Sequence, residues 1–214
     1  MKMFRKLLTL DEARQIIQEH FKPKPLGVEE ISLLEAYNRV LAENMTAKLD
    51  IPPFDRSTVD GYAVRAEDTF GTEENKPVRL KICGIVNVGA SPKTSVAKNE
   101  AAEIATGAPI PEGADAVVMI EHTERENDEL HVYSAVAKDE NIMKAGTDIK
   151  KGETILKTGQ LLDSRSIGVL AALGISKVKV CKVPHVAVLS TGAEITEPGG
   201  KLSPGKIYDI NAYS

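Results

Sequence analysis

Four short segments gather acids, hydroxyls and glycines at spacings suited to holding an anion, a cation or both. Residues 54–64, FDRSTVDGYAV, place Asp55, Arg56, Ser57, Thr58 and Asp60 in a turn-rich stretch directly before a strand-like run. Binding groups concentrate in loops held by a rigid scaffold. The competing reading is an Asx turn, with Asp60 capping its own backbone ahead of Gly61. Residues 104–115, IATGAPIPEGAD, use Gly107, Pro109, Pro111 and Gly113 to stiffen a loop that presents Thr106. Its backbone amides suit an oxyanion, or the segment is simply a turn. Residues 141–151, NIMKAGTDIKK, offer Asp148 as a metal ligand or as a charge on a solvated turn.

The fourth segment, residues 189–194 (LSTGAE), follows an apolar run and ends on Glu194. Ligands of open α/β sheets bind at the carboxyl ends of strands, and amides around Ser190, Thr191 and Gly192 suit a phosphate. Glu194 opposes that anion: two unit charges about 4 Å apart repel by ~4 kcal/mol at an effective dielectric near ~20. A carboxylate beside a phosphate therefore points to a bridging cation such as Mg²⁺. The alternative is that Glu194 caps a short helix.

The elements that would carry these segments can be read in order. Thr9-x-x-Glu12 is a capping box, and Ala13, Ile16, Ile17 and Phe21 follow on one helical face. Pro23 ends that helix. Ser32-x-x-Glu35 predicts a second helix to about Val40, and residues 41–53 read as extended. Between Val59 and Val136 the pattern is one of short strands and turns, with Gly84, Gly89, Gly107 and Gly113 as punctuation. Residues 79–82 and 130–136 alternate, residues 116–120 form a continuous apolar run, and Asn127-Asp128 is read as the turn joining the last two into a hairpin. Asp163 or Ser164 starts a helix that Gly174 ends. Residues 177–183 predict a strand, and residues 186–189 (VAVL) predict a second one buried on both faces. Asp209 or Asn211 would then cap a helix running on past Ser214.

Composition removes several classes. Lys and Arg number 27 against 31 Asp and Glu, a net charge of −4, and aromatics are 4% of residues. Neither a nucleic-acid backbone nor stacked bases would find a footprint here. The two cysteines, Cys83 and Cys181, are far apart and form no framework, and the four histidines lack zinc-ligand spacing. The apolar stretch after Lys2, Arg5 and Lys6 stops at Leu10, too short for a signal peptide. No apolar run approaches ~18 residues, so no membrane span is expected and a cytoplasmic protein is the reading. The chain lacks P-loop, dinucleotide-fingerprint, HExxH, EF-hand and nucleophile-elbow patterns.

Taken together and in order, DIPPFDRSTVDGYAV, ATGAPIPEGADAVVMIE, NIMKAGTDIKKGETIL, LLDSRSIGVLAALGISKVKV and VAVLSTGAEI resemble the molybdopterin molybdenumtransferases, the family of bacterial MoeA and the gephyrin E domain. The resemblance covers nearly the whole chain and implies insertion of molybdate into adenylylated molybdopterin, with release of AMP and a requirement for Mg²⁺. Asp60, Thr106, Asp148 and Glu194 fall on the family's active-site positions, with Asp60 and Glu194 toward the metal. Ser190, Thr191 and Gly192 fall toward the bound molybdopterin. Met143 and Thr147 depart from the family's frequent arginine and glutamate, leaving Lys144, Lys150 and Lys151 as the nearby cations.

The resemblance also implies an α+β multi-domain architecture. Residues 1–25 would form an N-terminal helix docked on an α/β domain. Residues 26–50 and 142–177 would be the two parts of a mixed α/β connecting domain, with residues 51–141 as a β-rich domain inserted between them. Residues 178–214 would begin a MogA-like α/β molybdopterin-binding domain that is cut off. A homodimer is implied, with molybdopterin adenylyltransferase as substrate donor and no nucleic acid or membrane as partner. The 214-residue chain alone is expected to be inactive. A catalytically silent dimerisation or scaffold module of the same family is the alternative.

Overall fold

The computed structural model describes residues 8–73 and 75–214. Lys2, Arg5 and Lys6, on which the leader reading leaned, lie outside the described residues. In chain order the elements are α1 (Leu10–His20), β1 (Val28–Ser32), β2 (Met45–Thr46), β3 (Arg56–Ser57), β4 (Gly61–Val64), β5 (Val78–Val86), β6 (Glu100–Ile104), β7 (Ala116–Met119), β8 (Thr123–Glu126), β9 (Glu129–Val132), β10 (Ile142–Met143), β11 (Thr154–Leu156), α2 (Ser164–Ala172), β12 (Lys177–Cys181), β13 (Ile195–Thr196) and β14 (Ile207–Tyr208). The fold is mostly β with few helices. Glu30–Val180 form one compact unit, and the segments on either side of it form another.

The larger unit is built on a six-stranded sheet in the order β7-β4-β6-β5-β9-β8. Its neighbours are antiparallel except β5 and β6, which run parallel. Every residue of β4 is buried, because the strand has β6 on one edge and β7 on the other and apolar side chains over both faces. Tyr62 and Val64 join Leu80, Val118, Leu130 and Val132 in one core cluster, while Ala63 joins Val86, Val96, Ile104 and Val117 in another. Alternation along a strand sends successive side chains to opposite faces, so a run that is apolar throughout is what a doubly covered strand requires. Gly61 opens β4 where a side chain has no room. A Cβ there would sit 1.9 Å from the carbonyl oxygen of Val118 in β7.

A third cluster (Ala36, Leu41, Leu156, Leu162, Leu170, Val178 and Val180) packs around α2 and the β2–β11 pair. Asp163 caps α2, its Oδ1 accepting from both the N–H (2.8 Å) and the hydroxyl (2.7 Å) of Ser166. At the other helix, α1, the capping box of Thr9 and Glu12 forms as read, yet Ile16, Ile17 and Phe21 remain exposed.

Four element readings need correction. The stretch after Ser32 is a single 3-10 turn, Leu33–Glu35, rather than a helix to Val40, since Asn38 takes a left-handed conformation (φ 60°) that breaks helical continuity. The Asn127 turn, itself at φ 56°, joins β9 to β8 and not to residues 116–120, whose partner is β4. Residues 186–189 form no strand, and Val186, Val188 and Leu189 are exposed. A strand apolar on both faces needs sheet neighbours and covering helices, and none of the described residues pairs with this one. Asp209 accepts from the Ala212 N–H at 3.2 Å, but it caps one turn ending at Tyr213 rather than a helix.

Candidate functional site

The first two sequence segments meet. Asp60 precedes β4 and Thr106 follows β6, and antiparallel pairing of Gly61 with Ile104 brings the two turns side by side. Asp60 Oδ1 accepts both from the Thr106 N–H at 2.7 Å and from the Thr106 hydroxyl at 3.0 Å. These bonds, the backbone one foremost, hold the Asp60 carboxyl below its ordinary pKa by stabilising the charged form. Asp60 is exposed, and its Oδ2 accepts from nothing among the described residues. The result is an ionised, oriented carboxylate with one oxygen open to a cation. The Asx-turn reading is therefore replaced by a bond across the sheet.

The Thr106 turn does not present free amides. The Gly107 N–H donates to Ser57 O at 2.8 Å, Ala108 to Ala105 O at 3.0 Å and Ile110 to Asp55 O at 2.9 Å. An oxyanion nest at this loop would need those donors, so that expectation is corrected. Thr106 serves the carboxylate instead.

The Asp148 loop is laid along residues 50–55. Ala145 donates to Asp55 Oδ1 (2.8 Å), Gly146 to Pro52 O (3.0 Å), and both Asp148 (2.9 Å) and Ile149 (3.1 Å) to Ile51 O. Lys151 N–H donates to Asp50 Oδ1 at 2.8 Å. Two aspartates thus bracket the loop, and its amides are spent on the protein. Asp148 itself is exposed, with no side-chain partner among the described residues. Lys144, expected among the cations near an anion, is already engaged: Nζ lies 2.9 Å from Asp55 Oδ2 and 2.6 Å from Asp139 Oδ1.

The segment carrying Ser190, Thr191, Gly192 and Glu194 belongs to the smaller unit. All but Ser190 are exposed, and the Glu194 carboxylate folds back over Gly192, where a Cβ would stand 2.6 Å from Oε1. The Glu194 carbonyl accepts from Ile207 N–H at 2.8 Å, and β13 after it pairs in parallel with β14. Glu194 caps no helix. Among the described residues no three His, Cys, Asp or Glu side chains form a metal cluster, and no helix is long and apolar enough to cross a membrane.

Sequence reasoning missed the roles of Asp50, Asp55 and Asp139. Asp50 and Asp55 lie beside the Pro52-Pro53 turn, but their partners are about 90 to 100 positions away. The β3–β10 pair and the bridge between Ile51 and Ile149 close that distance.

Residues 8–174 match the family model described as the MoeA N-terminal region, domains I and II. The molybdopterin molybdenumtransferase of Haemophilus influenzae is 39% identical over 209 residues, 97% of this chain and 50% of that protein. The protein of the same name from Staphylococcus epidermidis is 37% identical over 198 residues, 92% and 46% of the two chains. A crystal structure of a molybdopterin biosynthesis MoeA protein from Pyrococcus horikoshii superposes with a TM-score of 0.81 at 48% identity, covering 96% of this chain and 52% of that one. The chain spans about half the length of the curated relatives it matches. By sequence and by fold alike, it belongs to the MoeA family and carries that family's N-terminal part.

Proposed function

We propose that this chain contributes to molybdenum cofactor biosynthesis as part of a molybdopterin molybdenumtransferase acting in the cytoplasm. In the reaction, molybdate is inserted into adenylylated molybdopterin and AMP leaves. The observation that carries this reading is the Asp60–Thr106 pair, in a chain of the MoeA family. Cleaving a phosphoanhydride requires charge neutralisation on the phosphates. Mg²⁺ is commonly held by one or two carboxylates together with substrate phosphates and water, and the open oxygen of Asp60 suits such a role. Mg²⁺, when bound, would supply that neutralisation. Thr106 fixes Asp60 in direction and favours its charged form, and Asp148 and Glu194 add the further acids. Ser190, Thr191 and Gly192 would line the molybdopterin side.

The wider assembly belongs to the same proposal. Residues 51–141 act as a β-rich domain inserted into a connecting domain of residues 26–50 and 142–177. Residues 178–214 open the molybdopterin-binding α/β domain, against which the helix within residues 1–25 docks. The protein works as a homodimer supplied by molybdopterin adenylyltransferase. Alone, the 214-residue chain releases no AMP.

The test is AMP release by this chain fused to the C-terminal half of the Pyrococcus horikoshii relative, with Mg²⁺ and molybdate present. Asp60→Asn and Glu194→Gln should each lower turnover by at least ~10²-fold, about 2.7 kcal/mol of barrier. Wild-type rates in both variants would refute the assignment.

A further inference from the structure

Lys144 answers two carboxylates at once. Its two partners come from different places: Asp55 from the segment entering β3, and Asp139 from the connection leading to β10. That connection is itself pinned. Asp139 and Asn141 adopt left-handed backbone (φ 66° and 60°), unusual for non-glycine residues, and the Asn141 side chain donates to Val117 O at 2.8 Å. The Asn141 carbonyl accepts from the Thr58 N–H at 3.0 Å, two residues before Asp60. Asp55 accepts from the Ala145 N–H with one oxygen and from Lys144 with the other, so one carboxylate grips both backbone and side chain of the Asp148 loop. Lys144 is held charged, with the Asp139 bond the largest influence and the Asp55 bond next.

We propose that Lys144 is a positioning residue, a strut between Asp55 and Asp139 that sets the Asp148 loop onto the same chain segment that carries Asp60. It does not bind the anionic substrate, because its ammonium already answers two carboxylates. The strut stands on the contacts of Lys144 and Asp55 alone, and its catalytic meaning rests on the function proposed above.

Two measurements separate the alternatives. Hydrogen exchange on the 214-residue chain reads the strut directly. In Lys144→Met, the amides of Ala145, Gly146, Asp148 and Ile149 should exchange at least about tenfold faster, and Lys144→Arg should restore most of the protection. Unchanged protection in Lys144→Met would overturn the proposal. In the fused enzyme, Lys144→Met should lower kcat with little change in KM or in its salt dependence. A raised KM that becomes less sensitive to salt, with exchange unaltered, would make Lys144 a substrate ligand and overturn it too. Loosened amides in a fusion that never releases AMP would uphold the strut and refute the function.

Discussion

The Asp60 turn and the Glu194 turn begin as related sequence ideas, an acid close to a glycine, one just before an apolar strand and the other just after one. They end as different structures. Asp60 stands at the mouth of β4, which is paired on both edges and covered on both faces. Its carboxylate has two donors at hydrogen-bond distance. Glu194 follows residues 186–189, whose apolar side chains are exposed, and its turn rests on a two-residue parallel pair. The difference shows that an acidic turn becomes an oriented site through the strands that flank it. Motif and spacing propose the acid, whereas the sheet supplies the second partner.

The harshest way to break that contrast is to unseat β4. Gly61→Ala would place a methyl carbon 1.9 Å from Val118 O, a backbone atom that no side-chain rotation can move aside. Overpacking of this kind costs about 3 kcal/mol. Urea unfolding of the 214-residue chain should show that loss, and the Asp60–Thr106 bonds should go with it. A variant as stable as the parent would mean that β7 can slide away from β4 freely.

A matched pair of truncations sharpens the contrast. Leu130 is fully buried in the cluster beneath β4, and Leu130→Ala should cost about 3 kcal/mol through lost transfer energy and the cavity left behind. Leu189 is 86% exposed, and Leu189→Ala should stay within about 0.5 kcal/mol. Equal losses at the two positions, again by urea unfolding, would show that residues 186–189 are buried in solution.

How legible all this was depends on the range of the interaction. Local devices were readable: the Thr9 capping box, the Asp163 cap and the Gly174 terminus of α2 are fixed by residues within one helical turn. Strand locations were readable too, because β4, β5 and β7 carry their burial pattern in their own sequence. Partner choice was not. Whether residues 116–120 turn back onto 130–136 or cross to β4 depends on which pairing buries both faces of β4, a property of the assembled sheet. The two ion pairs of Lys144 went unread for the same reason, since Asp55 is distant in sequence and Asp139 sits on a left-handed turn that no periodicity announces. The helix expected after Ser32 failed locally, at Asn38.

The mildest test concerns the pair itself. Thr106→Val removes the hydroxyl donor to Asp60 and leaves the backbone donor, which is the larger cause of the lowered pKa. The Asp60 pKa should therefore rise part of the way toward the ordinary aspartate value of about 3.9 and stop short of it. Carboxyl-carbon NMR shifts followed against pH would read this directly. The sign of the linked stability follows from the depressed folded-state pKa. The bonds stabilise the fold while Asp60 is ionised, fully so above its unfolded-state pKa. That contribution fades as pH falls through the lower, folded value. The variant should lose part of the effect above pH ~5 and converge with the parent below both pKa values, where the aspartate is protonated in either. At neutral pH, Asp60 would be ionised in both proteins, so any fall in turnover caused by Thr106→Val would come from a carboxylate that is charged but less firmly directed. An unchanged Asp60 pKa would mean that the hydroxyl bond is not formed in solution. The turn would then rest on the backbone donor alone, and the contrast with Glu194 would narrow to one hydrogen bond.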